Sequence, residues 1–276
     1  MAFLDALVSQ GQPSLMRPPI IDEPGFAQLA ATVAEALGEQ FVALYLEGSF
    51  AWGAELPSSD IDLRAVIDSP VPVQVSERLK AIARQGSETL GRQIDLQADV
   101  LADLLRVGAV RFQKAIPLAG RDVRVLVPLK SIEAFSKDAV ASARRLASSL
   151  RSIHGRPTDF PLGTPNPNSE FGGYDVQQVI VDGVASPSTK RLVTNVLAVA
   201  TALIAARGRY VMNKHEVASL YRETLADEWH PFVSEVYINC HVEMEYRLPI
   251  SLGDRERVRD LCKLAPGFEN RLMLLG

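Results

Sequence analysis

Three acidic residues flanked by apolar neighbours, together with one glycine-serine pair, are the part of this chain best suited to chemistry. An apolar run beginning at Phe41 ends in Leu46-Glu47-Gly48-Ser49, and ten residues later Asp60-Ile61-Asp62-Leu63 alternates carboxylates with apolar side chains. In an extended strand residues i and i+2 point to one face, so Asp60 and Asp62 share a face while Ile61 and Leu63 turn to a core. Carboxylates so paired commonly hold one or two magnesium ions, which offset triphosphate charge in phosphoryl and nucleotidyl transfer. Gly48-Ser49 then falls at a strand-to-helix turn. There a residue without Cβ lets the backbone approach a phosphate, and N–H groups and a hydroxyl can donate to its oxygens.

A third carboxylate is expected on a neighbouring strand, and Gln93-Ile94-Asp95-Leu96 supplies one. Asp95 either completes a metal site with Asp60 and Asp62 or accepts the proton of an attacking hydroxyl. Asp99 lies on the same strand face and competes for that role; the position of Asp95 nearer the strand's start favours it. Taken singly, a Gly-Ser is a loop signal and an Asp-x-Asp is often a solvated strand face. Their order and spacing between apolar runs carry the expectation.

The elements that must position these residues follow from periodicity. Gly25–Gly38 has helical spacing and a glycine suited to a C-cap. Phe41–Leu46 reads as the first strand, a short helix from the Gly-Ser turn ends at Pro57, and Asp60–Ile67 reads as the second strand. Gln74–Gln85 is an amphipathic helix leading back to the strand of Asp95, 101–107 another helix, and Ile116–Asp122 a Pro/Gly-punctuated turn. From Ser131 the pattern becomes helical. A helix passes through Ala139, Ala143, Leu146 and Leu150, and a Pro/Asn/Gly-rich loop occupies 156–173. Ser188–Arg207 is a strongly apolar helix closed by Gly208, and Asn213-Lys214-His215-Glu216 has capping-box spacing. Helices over Phe232–Tyr246 and Leu252–Leu264 complete a bundle. Residues 1–24 read as an irregular lead-in. The expected organisation is therefore a mixed α/β domain over 1–130 and a helical domain over 131–276.

Composition narrows the class. With 276 residues, 47% apolar and 22% charged, the chain has the make-up of a globular protein long enough for two domains. A net charge of −4 argues against a broad nucleic-acid surface. Cys240 and Cys262 are too few for a disulfide framework, and His154, His215, His230 and His241 lack a compact zinc spacing. Asp5 breaks the first apolar run, no early positive charge precedes it, and Leu192–Ala206 is too short to span a bilayer. A cytoplasmic protein with no membrane partner is the expectation.

With these pieces placed, the chain resembles the nucleotidyltransferase superfamily and, within it, the streptomycin/spectinomycin adenylyltransferases among the aminoglycoside nucleotidyltransferases. Gly48-Ser49 with Asp60, Asp62 and Asp95 is similar to the superfamily signature. Pro117–Asp122 and the run from Asn195 through Arg207 to Tyr221 are similar to the subgroup, in which a lysine opening a helix reaches the nucleotide phosphates; Lys214 matches that lysine. The resemblance implies an α/β (α+β) fold, a mixed sheet with flanking helices followed by a C-terminal helical bundle. It implies ATP as nucleotide donor, Mg2+ as cofactor, and transfer of AMP to a small-molecule hydroxyl such as that of an aminoglycoside or aminocyclitol antibiotic, hence resistance. Two departures stand out. The subgroup's phosphate-binding arginine is replaced by Ala200 and Thr201, leaving Arg207, Arg209 or Lys190 as substitutes, and its glutamate base is the shorter Asp95. A toxin-like enzyme acting on tRNA or protein, or an idle nucleotide-binding module, are the alternatives.

Overall fold

The strand residues Ile61, Leu63, Ala65 and Ile67 are buried while Asp62 and Arg64 between them are half-buried, and this alternation sets which side of the sheet carries chemistry. The computed structural model describes residues 19–22, 24–57, 59–70, 72–152, 158–181 and 184–275. The expected lead-in over 1–24 lies mostly outside them, as do His154 and the first two residues of the 156–173 loop. Two compact units are formed, one by the described residues of Met1–Glu55 with Ser59–Arg106 and Phe112–Val127, the other by Leu56–Ser58, Val107–Arg111 and Pro128–Gly276.

In the first unit, helix α1 (Pro24–Leu37) precedes strand β1 (Phe41–Glu47), the single turn α2 (Gly48–Ala51) and strand β2 (Ile61–Ile67). Helix α3 (Val73–Leu90) then leads to β3 (Ile94–Val100), α4 (Leu101–Val107) and β4 (Ile116–Gly120). The sheet order is β3-β2-β1-β4. β1 runs antiparallel to β2 and β4, and β2 runs parallel to β3. Leu29 and Val33 of α1 and Leu79 and Ile82 of α3 pack with Leu44, Leu46, Ile61 and Leu63 in one apolar core. Burying side chains of this size stabilises by roughly 1.5–3 kcal/mol each, and it fixes the opposite sheet face for Tyr45, Glu47, Asp62 and Arg64.

Ile116–Gly120 is a correction to the turn expected there: it pairs with β1 as the edge strand β4. A proline is tolerated at an edge because its missing N–H interrupts no inner ladder.

The second unit is built on α6 (Lys190–Ala205), which follows α5 (Ile132–Ser149) and a β5–β6 hairpin (Gln178–Val181 and Val184–Pro187). The hairpin was not legible in a region of helical texture. Eleven of the sixteen residues of α6 are buried, so apolar side chains all round the helix are accommodated. Around it pack α7 (Val217–Thr224), α8 (His230–Glu235) and α9 (Leu252–Glu269). The helix expected over Phe232–Tyr246 is α-helical to Glu235 and continues as a π-helix over Val236–Glu243, short of the expected end at Tyr246. Among the described residues no helix is long and apolar enough to cross a membrane.

Candidate functional site

Parallel pairing of β2 with β3 sets Asp62 opposite Asp95, and the bond from Ile61 N to Gln93 O (2.8 Å) holds the strand entrances together. Asp60 stands immediately before β2. Each of Asp60, Asp62 and Asp95 presents a carboxylate oxygen, these oxygens all lie within 4.8 Å of one another, and Asp95 is the most exposed of the three. Carboxylates so close repel unless a cation lies between them, which is the donor set a hard divalent ion requires. The residues therefore fit a magnesium site.

The phosphate-loop candidate adjoins this cluster because β1 pairs Glu47 with Asp62, bringing Gly48 beside the same carboxylate. Gly48 has φ +65°, and a Cβ there would stand 2.8 Å from Asp62 Cγ and closer still to an oxygen. Only glycine supplies both the left-handed backbone and the space. Ser49 accepts backbone bonds from Trp52 N (3.1 Å) and Ala54 N (3.0 Å), so the turn is braced by its own chain.

Asp99, the rival third carboxylate, is paired with Arg64. Periodicity places Asp95 and Asp99 on one face; the register with β2 separates their surroundings. On the same sheet face Tyr45 is buried, its hydroxyl accepting from Val123 N (2.7 Å) and donating to Asp122 (3.2 Å). Burial raises the Tyr45 pKa, and the hydrogen bonds from Arg124 hold the Asp122 carboxyl down at about 2. The Tyr45 hydrogen bonds tie β1 to the segment at Asp122 and Val123.

Lys214 belongs to the second unit and is described there by itself. Asn213 and Glu216 complete the expected capping box. The Lys214 ammonium donates to the Tyr246 hydroxyl (3.2 Å) and lies 5.7 Å from the centre of that ring. Behind it His215 Nδ1 meets the Tyr237 hydroxyl at 2.8 Å, and the His241 ring packs 4.8 Å from Tyr246. His241 is fully buried with no hydrogen-bond partner on either ring nitrogen among the described residues. Burial, then the charge of Lys214, pushes its pKa down to about 3 and lowers that of His215. Both rings are accordingly neutral near pH 7, and Lys214 is the cation of this cluster.

The replacements considered for the missing arginine fare unequally. Ala200, at the position of that arginine, is fully buried in the helical core. Arg209 is engaged by Glu223 at 3.7 Å. Asp227, one of the acidic residues of this unit, is occupied by Arg271, Tyr221 and the Trp229 amide.

Comparison with known proteins agrees with this architecture. Residues 30–139 match the family described as nucleotidyltransferase domain, a span that contains the sheet, the Gly48 turn and all three carboxylates. Among solved structures, the chain is similar to spectinomycin adenyltransferase AAD(9) from Enterococcus faecialis, crystallised with ATP and spectinomycin, at 14% identity and TM-score 0.52 over 90% of this chain and 98% of that one. At this identity the likeness is one of fold. A toxin-antitoxin structure with AMP-PNP aligns over 44% of this chain and 93% of its own at 16% identity, with a TM-score of 0.28 that is too low to define a shared fold. No curated protein matches the chain.

Proposed function

We propose that this chain, whose residues 30–139 match the nucleotidyltransferase domain family, is a nucleotidyltransferase that transfers AMP from ATP to a hydroxyl of a small molecule. The observation that carries the proposal is the Asp60–Asp62–Asp95 cluster, with carboxylate oxygens within 4.8 Å of one another, beside a glycine whose Cβ would strike it. One further feature supports it: the fold shared with an enzyme crystallised with ATP and spectinomycin.

In this reading Asp60 and Asp62 hold Mg2+, with Asp95 as a third ligand or as the base. Bound magnesium would supply charge neutralisation for the triphosphate and for the oxygens that gain charge at the transition state. Gly48 and Ser49 admit the phosphates to the end of β1, and Lys214 neutralises further triphosphate charge. The acceptor hydroxyl attacks the α-phosphorus, the bond to the pyrophosphate oxygen breaks, and the hydroxyl proton passes to Asp95, the most exposed carboxylate of the three. The acceptor class assigned is an aminoglycoside or aminocyclitol.

The test is mass spectrometry after incubation with magnesium, ATP and a panel of aminoglycosides, spectinomycin and lincosamides. One drug gains one AMP with the intact protein and none with Asp60→Ala. Modification that survives in Asp60→Ala overturns the site, and a panel left wholly unmodified overturns the acceptor.

A further inference from the structure

Arg64 continues the alternation that starts with Asp60 and Asp62, so it projects from the same face of β2 two residues beyond Asp62, about 7 Å along the strand. Its Nε lies 2.7 Å from Glu47 Oε1 on one side, and its Nη1 contacts Asp99 on the other. Glu47 is the last residue of β1, directly before Gly48 and opposite Asp62. Asp99 lies four residues beyond Asp95 on β3. One guanidinium thus ties three strands together across the face that carries the triad. It also pairs with Glu47 and Asp99 in a neighbourhood that already holds three carboxylates.

We propose that Arg64 is a positioning residue of the nucleotidyl-transfer site: it occupies Glu47 and Asp99 so that neither competes for the divalent cation, and it fixes the strand end that enters Gly48. This rests on reading the triad as the metal site. The physical argument is one of ligand competition. Glu47 and Asp99 are the same hard oxygen donors as Asp60, Asp62 and Asp95, and nothing in their chemistry distinguishes them for magnesium. A planar guanidinium with several fixed donors can hold both carboxylates at once, as a lysine ammonium cannot at equal geometry. Losing the guanidinium charge adds one net negative charge within about 7–10 Å of the triad, which with the nearly aqueous screening of these half-exposed groups (an effective dielectric constant of about 60) raises affinity for a divalent cation by about tenfold.

The experiment titrates the metal-free protein with Mn2+, read by electron paramagnetic resonance, for wild type, Asp60→Ala, Arg64→Met, Arg64→Lys and Arg64→Met combined with Glu47→Gln and Asp99→Asn. Circular dichroism confirms that each is folded. Arg64→Met is expected to bind Mn2+ about tenfold more tightly or to take up a second equivalent, while its KM for ATP rises and kcat falls. The triple variant, in which all three groups are neutral and the net charge is one unit more positive than in wild type, loses this gain and binds Mn2+ up to about tenfold more weakly than wild type, and Arg64→Lys restores the affinity but not the full kcat. A purely structural arginine would lower the unfolding midpoint and leave the Mn2+ titration of the folded protein unmoved in every variant; that result overturns the proposal. If wild type binds Mn2+ through Asp60 yet adenylylates no acceptor, the transfer reading fails and the role of Arg64 at the cation site stands. If Asp60→Ala binds Mn2+ as wild type does, both fall.

Discussion

Two arginine-carboxylate clusters, one in each unit, use the same groups to opposite ends. In the second unit Arg151 pairs with Glu269 at 2.6 Å with side chains only 5% and 0% exposed. Tyr174 donates to Glu269 at 3.0 Å and Asn195 donates at 2.8 Å, while Arg151 also reaches the Ala147 carbonyl at 2.8 Å. Burial pushes the Glu269 pKa up against the pull of these donors. In the first unit Arg64, Glu47 and Asp99 stay 17–37% exposed beside a triad of which Asp95 is open to solvent. Buried charges are consumed by their partners and make structure; half-exposed ones can exchange partners with a ligand. The difference lies in desolvation, not in residue type.

The sharpest way to break this contrast is Glu269→Ala. It leaves Arg151 buried without its carboxylate and is expected to cost about 3–5 kcal/mol, measured by urea unfolding. Asp60→Ala in the first unit is expected to move the same curve by less than about 1 kcal/mol, since it relieves repulsion in a partly solvated cluster. Equal losses would erase the distinction.

A second test concerns the backbone at the site. Gly48→Ala places a Cβ against the Asp62 carboxylate at a left-handed φ. The strain is worth about 1–2 kcal/mol, and displacement of Asp62 is expected to lower kcat by about 100-fold, read as pyrophosphate release against a thermal melt. A catalytic loss no larger than the stability loss explains would separate Gly48 from the site.

A further test sharpens the other side. His241 has a pKa near 3 in the folded protein against an ordinary 6.5, because burial disfavours its charged form. Between pH 6.5 and 3 the unfolded chain binds a proton that the native ring refuses, so stability is full above this window and falls as pH falls, by about 1.4 kcal/mol per unit. His241→Phe should flatten the acid limb by that slope relative to wild type. The reporter is Trp229 fluorescence in a Trp52→Phe background, since Trp229 packs on Phe232 and Phe268 in the same core. Parallel limbs would show that His241 is not held neutral.

The chain's own pattern carried much of the first unit. Alternation in Ile61-Asp62-Leu63 and its counterpart around Asp95 gave strands with one polar face, and Leu101–Val107 forms the helix its spacing predicts. The edge strand Ile116–Gly120 was hidden because Pro117 and Gly120 carry turn chemistry that only an edge position overrides. The hairpin over 178–187 was hidden because four-residue strands are too short to show a period.

What the sequence by itself determined is which side chains share a face, since periods of 2 and 3.6 are local properties of the backbone. It marked Gly48, Asp60, Asp62 and Asp95 as one constellation and Lys214 as a helix-opening cation. The sequence already favoured Asp95 over Asp99; only the tertiary structure decided that Asp99 is held by Arg64, and that Asp227 and Glu269 are committed to arginines. Those assignments depend on strand register and on contacts between residues far apart in the chain, and no local period encodes either.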